Sequence, residues 1–372
     1  MDQNLSQINK PLEVYLDRSR KSITDWLNAY IIAEAGQYPR RRELMDVYDY
    51  GLLDNHLYAV VNNRKSKVMG ERFHLVDFDG EPLEKETSLL RKSWFYDFVE
   101  HSLDAIFYGY SLIELGDIID GEISKVTLVS RRNTNPERRE VLIRPSDIYG
   151  ISIDEPVYRD NYILVDGKEG LGLLLRAMPN VIYKRFALAA WTEHAEKFSI
   201  PFLHGKTNIT DTDAVSKLED SLIQAGREMI IVTDHGDEIQ ALQIGGSDTF
   251  KIYDALTERV NSELSKLIIG QTMTTDSGSS RSQAEVHDKT LGEIAEADRE
   301  LIECIVNDEL LPRLRALGYP IPEEARFQYD LQREQSIEDQ IKVYSLALQH
   351  YKVSPEKIKA VFGITVEEKT TP

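Results

Sequence analysis

The segment from Gln271 to Asp288 carries the densest set of side chains suited to phosphate chemistry. It reads QTMTTDSGSSRSQAEVHD, with many hydroxyls and almost no apolar side chains. Hydroxyls together with a nest of backbone amides bind phosphate oxygens. A flexible linker has the same composition, and the residue pattern alone favours the linker because no helix start fixes an anion site there. A loop of this length inside a compact domain is usually functional or disordered.

Two pairs of carboxylates are spaced so that they could hold the metal ion of a nuclease. They are Asp117 with Asp120, and Asp234 with Asp237. Both pairs stand among turn-forming residues, where Asp is favoured because its side chain hydrogen-bonds nearby backbone. We therefore predict turns at both places, and a metal-dependent nuclease that uses Asp234 and Asp237 stays the alternative.

The common catalytic motifs are absent from the sequence. It has no GxxxxGK[ST] phosphate loop and no GxGxxG after a predicted strand, and Glu193-His194 lacks the second His of an HExxH zinc site. The eight histidines show no metal-ligand spacing. We therefore predict no catalytic residues, no metal site, no cofactor and no enzymatic activity.

The chain is strongly acidic. Its 372 residues carry a formal net charge of −19, and 41% of them are hydrophobic. The apolar fraction is typical of a folded soluble protein, whereas the charge argues against a surface that adheres to nucleic acid. Acidity fits either simple solubility or a conduit through which DNA passes without sticking, and composition does not separate the two.

Two further features bear on the compartment. No apolar run approaches the roughly 20 residues of a membrane-spanning helix, and the polar stretch MDQNLSQINKP has no signal-peptide order, so we expect no membrane and synthesis in the cytosol. The single cysteine, Cys304, lies among Ile302, Ile305 and Val306, which predicts a buried thiol and excludes an internal disulfide.

The first half of the chain predicts helices followed by a β-rich region. Helical periodicity runs from Glu43 to Met69, with breaks at Gly51 and Asp54-Asn55, and again from Thr87 to Phe107, with a strand from Arg72 to Phe78 and a turn at Asp79-Gly80 between them. Short β-like runs follow from Tyr110 to Val165. One turn of this region concentrates the positive charges of Arg131, Arg132, Arg138 and Arg139. We predict a solvated hairpin tip there, with an electrostatic contact to an acidic neighbouring subunit or to DNA as the alternative.

The second half predicts two long helices on either side of a small α/β insert. The helices are Leu171 to Phe198, with Pro179 as a kink or first turn, and Ser247 to Ile269, with Gly270 as its C-cap. The insert comprises a helix from Asp211 to Ala225 with Thr210 as N-cap, and strands Met229 to Thr233 and Glu238 to Leu242. After the hydroxyl-rich segment we predict helices over Leu291 to Leu317, Ile337 to Tyr351 and Ser354 to Val361. The whole is an α+β protein, mainly helical.

Several short motifs, in this order and spacing, resemble the Mu-like branch of bacteriophage portal proteins. The motifs are Leu53-Asp54-Asn55-His56-Leu57, Tyr108-Gly109-Tyr110-Ser111 with Glu114, Trp191 with Phe198, Ile200 and Pro201, Leu267 to Thr275, Ser279-Ser280 with Ala284 to His287, and Ala297-Asp298.

The resemblance implies a ring at one capsid vertex, usually a dodecamer of this chain, around a channel for double-stranded DNA packaging and ejection. It implies an N-terminal arm (1–42), a wing (43–170), a first stem helix (171–201), a clip (202–246), a second stem helix (247–270), a tunnel loop (271–289), a long helix between wing and crown (290–318) and a reduced helical crown with a tail (319–372). It further implies contacts with the terminase large subunit, a head-tail adaptor, and the major capsid and scaffolding proteins. The protein would then reside in the virion, and in the host cytoplasm during assembly.

The same resemblance selects candidate residues for the channel. Those of the tunnel loop are Gln271, Thr272, Thr274, Thr275, Ser277, Ser279, Ser280, Arg281 and Ser282, and those of an acidic channel lining are Asp254 and Glu258. Neutral hydroxyls contact a phosphate backbone without displacing counterions, so they would touch DNA without holding it. A different virion component, such as a head-completion adaptor without this order of elements, is a further alternative.

Overall fold

The computed structural model describes residues 19–36, 38–119, 122–168, 170–199, 203–208, 210–224, 230–233, 248–272, 281–330 and 337–350. The chain divides into two compact units after Gln328. The first unit mixes helices and small sheets, and the second contains one described helix, Ile337–His350. The α+β class is therefore confirmed.

The predicted helices appear in the expected order, but a further helix, Ile23–Ala33, lies within the segment expected to be an N-terminal arm, and its Ala29 and Ala33 are buried. In chain order they are α1 (Ile23–Ala33), α2 (Arg42–Gly51), α3 (Asn55–Met69), α4 (Glu84–Leu90), α5 (Ser93–Tyr108), a 3-10 turn (Arg131–Asn133), α6 (Leu174–Ser199), α7 (Thr212–Gln224), α8 (Asp248–Ile269), α9 (Arg281–Ile305), a π-helical turn (Val306–Leu310), α10 (Leu311–Ala316) and α11 (Ile337–His350).

The strands form small sheets. They are β1 (Phe73–Val76), β2 (Tyr110–Leu115), β3 (Ile118–Ile119), β4 (Glu122–Ile123), β5 (Val126–Leu128), β6 (Thr134–Asn135), β7 (Glu140–Val141), β8 (Ile151–Ser152), β9 (Tyr162–Asp166), β10 (Leu203–Lys206), β11 (Ile230–Thr233) and β12 (Arg326–Tyr329). The sheet orders are β5-β2-β9, β6-β7-β8, β3-β4, β1-β12 and β10-β11. Strand β2 is central in its antiparallel sheet, where Ile113 stands opposite both Leu128 and Ile163.

The core of the first unit lies between α5 and the β2 sheet. Strand β2 is buried at every position except Glu114, so both of its faces are covered. On α5 the buried residues include Phe95, Val99, Leu103 and Ile106, three or four positions apart, as expected for a helix with one apolar face. Phe73 of β1 and Phe327 of β12 add rings 5.0 and 5.5 Å from that of Phe95.

The start of α6 is held against the end of α5 by glycines. Gly109 and Gly172 have φ of +91° and +81°. A Cβ on Gly172 would lie 2.2 Å from the carbonyl oxygen of Phe107, and one on Gly109 equally close to that of Gly170. Because only glycine permits this approach without strain, the two residues fix where α6 leaves the core. The buried Tyr48 hydroxyl donates to the carbonyl of Leu171 at 2.6 Å and ties α2 to the same point.

Two predicted helices contain breaks. Helix α2 ends at Gly51 and α3 begins at Asn55, with the Asp54 carboxylate accepting from the Leu57 amide at 3.0 Å as an N-cap. This break was predicted. The single helix predicted over Thr87 to Phe107 is wrong, because Lys92 is extended and separates α4 from α5.

The α/β insert contains a parallel strand pair that the sequence did not predict. Strand β10 pairs with β11 from Leu203↔Ile230 to Lys206↔Thr233, and α7 connects them. The N-cap of α7 is Asp211 rather than Thr210, since the Asp211 carboxylate accepts from the amides of Asp213 and Ala214 at 3.1 Å. The predicted strand Glu238 to Leu242 and the predicted helix Ser354 to Val361 lie outside the described residues.

The prediction that the arginine-rich turn is a solvated tip is wrong for Arg131 and Arg132. The Arg131 guanidinium donates to Asp104 at 3.1 Å and to Ser111 at 2.9 Å, and Arg132 donates to Asp46 at 2.8 Å and Asp49 at 2.6 Å. Both arginine side chains are 10% exposed. They join this turn to α2 and α5, while Arg138 and Arg139 pair with Glu140 and Asp154 nearer the surface.

The prediction of a buried Cys304 thiol is also wrong. Cys304 is exposed, although Ile302, Ile305 and Val306 are buried. At about 3.6 residues per turn, Cys304 lies on the opposite side of α9 from Ile302, so apolar neighbours along the sequence did not imply burial.

Candidate functional site

Helices α6 and α8 form an antiparallel pair. The Trp191 ring stacks on that of Tyr253, with centroids 6.5 Å apart, and the Lys184 ammonium donates to the Asn261 side-chain carbonyl at 2.7 Å. Residue numbers rise along α6 as they fall along α8, so the end of α6 and the start of α8 lie together. The α/β insert follows the end of α6 and precedes the start of α8 along the chain. The two predicted helices are therefore confirmed, each within three residues of its predicted bounds.

Burial changes along this helix pair. Near the core, Val181 and Ile182 of α6 and Leu264 and Ile268 of α8 are buried. Toward the insert, Ala189 and Ala190 of α6 and most residues from Lys251 to Arg259 of α8 are exposed. Half of each helix is thus embedded and the other half stands clear of the core.

A buried polar network fixes the embedded half. Lys184 lies 2.7 Å from the Asp54 carboxylate that caps α3, and these side chains are 7% and 5% exposed. His56 and Ser265 hydrogen-bond at 2.8 Å between α3 and α8. Burial, and then the charge of Lys184, lowers the pKa of His56 below its ordinary value, so the imidazole is kept neutral. The network thus connects α3, α6 and α8 at the same level of the helix pair.

The acidic candidates Asp254 and Glu258 are both exposed on the outer half of α8. They are one helical turn apart on α8. Both lie to the same side of the helix face that carries Tyr253 and packs against α6. Ile252 and Leu256 lie on the opposite flank. The structure therefore gives α8 an acidic flank and an apolar flank.

The end of α8 lies against α9. Gly270 has φ of +72°, and a Cβ there would lie 2.9 Å from Ile294 Cδ1 and 3.1 Å from Thr290 Cγ2. The C-cap prediction is thus confirmed, and glycine is required both by the backbone angle and by the contact.

The predicted loop from 271 to 289 is too long. Helix α9 begins at Arg281, so Arg281 and Ser282 belong to its first turn rather than to a loop, and the helix predicted from Leu291 starts ten residues earlier. Gln271 and Thr272 precede the connection to α9. The other loop candidates, Thr274, Thr275, Ser277, Ser279 and Ser280, lie outside the described residues.

An arginine that the sequence did not identify holds the two helices that flank this connection. Arg64 of α3 donates from Nη1 to the carbonyl of Ile268 at 2.9 Å. Its Nε and Nη2 donate to the two Asp298 oxygens of α9 at 2.7 and 2.8 Å, a bidentate pair. Arg64 is 12% exposed and Asp298 6%. Asp298 within the Ala297-Asp298 motif was the only available signal.

Neither a metal-binding cluster nor a membrane-spanning helix is found among the described residues. No group of three or more His, Cys, Asp or Glu residues among them could hold a metal ion, and within the same residues no helix is long and apolar enough to cross a membrane. Asp117 directly precedes the strand in which Ile118 pairs with Ile123. Asp120, Asp234 and Asp237 lie outside the described residues.

Comparison with known proteins agrees with the resemblance of the motifs. The family model described as the portal protein of Mu bacteriophage matches residues 45–364. The portal protein of Escherichia phage Mu is 24% identical over 312 residues, which cover 77% of this chain and 59% of that relative. The chain thus spans less than two thirds of the relative's length.

Two solved structures align with most of the chain. A chain of the virion of a native gene transfer agent particle aligns with a TM-score of 0.50 and 11% identity, covering 92% of this chain and 99% of that one. A phage portal protein of the HK97 family from Corynebacterium diphtheriae aligns with a TM-score of 0.46 and 12% identity, covering 82% and 97%. Because the family model spans most of the sequence, the chain belongs to the family of the portal protein of Mu bacteriophage.

Proposed function

We propose that this chain is one subunit of the portal ring of a tailed bacteriophage. The ring, a dodecamer at one capsid vertex, is the channel through which double-stranded DNA enters during packaging and leaves during ejection. The observation that carries the proposal is the family match over residues 45–364. It is supported by the order of an antiparallel helix pair, an α/β insert at its outer end, and a short connection to a long helix.

Each region has a part in this proposal. Residues 43–170 are the wing, α6 and α8 the stem, and the insert with α7 the clip that meets the terminase large subunit and later the head-tail adaptor. The connection after Gln271 is the tunnel loop, and residues 290–318 lead toward a reduced crown. The crown was expected over residues 319–372, but it begins only after Gln328, because β12 pairs with β1 of the wing. The wing and crown face the major capsid and scaffolding proteins, so the protein resides in the virion after assembly in the host cytoplasm.

The mechanism is guidance rather than covalent chemistry. Asp254 and Glu258 are exposed one turn apart on the stem, where copies around a ring would place a band of negative charge. Such a band repels phosphates over roughly a Debye length, about 8 Å at physiological salt. DNA is then kept off the wall and moves without the tight ion pairs that release counterions and strengthen binding.

Electron microscopy of the purified protein tests the proposal. We expect rings with a central hole in negative stain and a solution mass that is a multiple of the 42.6 kDa chain. A chain that remains a monomer under all conditions, including high protein concentration and low ionic strength, would overturn it.

A further inference from the structure

The turn that follows β1 presents an exposed phenylalanine. Phe78 is 81% exposed, more than any other large apolar side chain among the described residues. Val76 and Pro82 pair across the base of this turn. Single exposed apolar residues are common on protein surfaces, so exposure alone does not mark a contact site. Two further properties of the turn, its rigid backbone and its charge, distinguish Phe78 from such residues.

The backbone of this turn is fixed without the Phe78 side chain. The Asp77 carboxylate accepts from the amides of Asp79 and Glu81, both at 2.9 Å. The Asp77 amide donates to the Glu81 carbonyl at 3.0 Å, and the Gly80 amide donates to the Asp77 carbonyl at 3.1 Å. Gly80 has φ of +81°, a conformation that glycine adopts without strain. Phe78 is therefore carried on a preorganised turn, and binding through it costs little ordering of the backbone.

The turn is negatively charged. Asp79 and Glu81 are exposed on either side of Gly80, and neither carboxylate forms an ion pair with another described residue. Their charge repels the phosphates of a nucleic acid and attracts a protein surface rich in Lys and Arg. It acts over roughly a Debye length, about 8 Å at physiological salt. The two carboxylates therefore steer a basic partner toward Phe78 before contact is made.

The size of this surface limits the kind of partner. A stable contact between two proteins buries roughly 800 Å² on each, whereas one phenylalanine side chain buries about 150–250 Å². Smaller contacts belong to partners that bind reversibly. A permanent contact between ring subunits therefore needs other surfaces, while one aromatic side chain in an apolar pocket suits a partner that serves assembly and then leaves.

We propose that Phe78 binds the scaffolding protein, in an apolar pocket of that protein rimmed by Lys and Arg. This inference rests on the proposed function, in which residues 43–170 are the wing that faces the proteins of the assembling capsid. Phe78 makes the contact, and Asp79 and Glu81 speed the approach through their field.

Binding to wild-type and variant rings measures the contribution of Phe78. Purified rings are immobilised, and the phage's own scaffolding protein is titrated by surface plasmon resonance. Phe78→Ser leaves the hydrogen bonds of the turn intact and should weaken binding about 30-fold, as loss of a central aromatic contact does. Phe78→Leu keeps an apolar side chain and should recover part of the affinity. The control Ile148→Ser removes another apolar side chain of the wing, which is 55% exposed, and should bind like wild type.

The carboxylates give a separate kinetic readout. Asp79→Asn with Glu81→Gln should slow association at low salt and leave the dissociation rate unchanged, because steering charges act on the encounter rather than on the bound complex. Raising the salt should remove the difference between this variant and the wild type. Because the bound complex is unchanged, rings of this variant still enter capsids.

The remaining outcomes separate this inference from the proposed function. If the wild-type chain forms no rings, the proposed function fails. If rings form, but the scaffolding protein does not bind them or binds Phe78→Ser rings with wild-type affinity, only this inference fails. Loss of rings in Phe78→Ser but not in Ile148→Ser would place Phe78 between two copies of this chain and overturn the inference. Binding of the major capsid protein instead, lost in Phe78→Ser, would also overturn it.

Discussion

Lys184 shows how a charge is kept inside this protein. Its ammonium is 7% exposed and is satisfied by the Asp54 carboxylate and the Asn261 carbonyl, both at 2.7 Å. An isolated ammonium at such a position would lose its hydration without compensation. The pair therefore specifies which turn of α6 meets α3 and α8, more than it adds net stability.

Removing Lys184 should show how strongly folding depends on the buried pair of Lys184 and Asp54. Lys184→Met leaves the Asp54 carboxylate buried without its cation, so we expect unfolding free energy to fall by about 3–5 kcal/mol in urea denaturation. The exposed pair of Lys266 and Glu263 supplies the control, since Lys266→Met should cost less than about 1 kcal/mol. The double variant Asp54→Asn with Lys184→Met should recover part of the loss. Equal losses of unfolding free energy in Lys184→Met and Lys266→Met would contradict the burial argument.

His56 should make stability depend on pH. Burial lowers the pKa of His56 below its ordinary value of 6.5 in the folded state, so the unfolded chain binds the proton more readily. Its contribution is therefore present above pH 6.5 and is lost as the pH falls from there to the folded pKa. We expect His56→Gln to reduce the fall in unfolding free energy between about pH 7 and pH 5 relative to the wild type. Parallel curves for the two proteins would show that His56 does not contribute.

The residue scale is also where prediction from the sequence failed most. Arg131 and Arg132 formed a run of charge typical of a surface turn, but three carboxylates from α2 and α5, Asp46, Asp49 and Asp104, fold around them. Partners more than 20 positions away in the sequence leave no local signal. Cys304 failed for a different reason, because its apolar neighbours occupy another face of the same helix.

The bounds of helices were predicted better than the environments of single residues, because a helical pattern is read from many positions at once. The bounds of α8 were correct to one residue at the start and exact at the end, where Gly270 marks the cap. The start of α9 was missed because Arg281 to Asp288 is polar and shows no apolar face. That stretch contains no Gly or Pro, so nothing in it opposes a helix. The strand β10 was missed because four residues carry too little pattern to distinguish strand from loop.

Arg64 connects elements rather than single residues, and its removal should loosen the end of α8 locally. Arg64→Met leaves the buried Asp298 carboxylate and the Ile268 carbonyl without a donor, at an expected cost of about 3–5 kcal/mol. Hydrogen exchange should show faster amide exchange in the last turn of α8 and around Asp298 than in the β2 sheet. Arg64→Lys keeps the charge but not the bidentate fork and should recover only part of the protection. Uniform loss of protection across the first unit would indicate global destabilisation instead.

At the scale of the whole molecule, part of the chain's negative charge is concentrated on one exposed face of a helix. The net charge of −19 alone is compatible with simple solubility, but Asp254 and Glu258 lie on an exposed flank of α8. If that flank lines a channel, its charge acts on DNA. If it faces bulk solvent, its charge affects solubility only.

Neutralising Asp254 and Glu258 distinguishes a flank that lines a channel from one that faces bulk solvent. We expect Asp254→Asn with Glu258→Gln to leave ring assembly unchanged but to lower the amount of DNA packaged in a fixed time, because phosphates approach an uncharged wall more closely. The deficit should be larger when the same residues are changed to Lys, and it should shrink as salt is raised, since added ions screen the interaction and weaken binding to the wall. Asp79→Asn with Glu81→Gln makes the same charge change at exposed residues of the turn that follows β1 and should package normally. Normal packaging by the Lys variant at low salt would mean that this flank does not face the DNA.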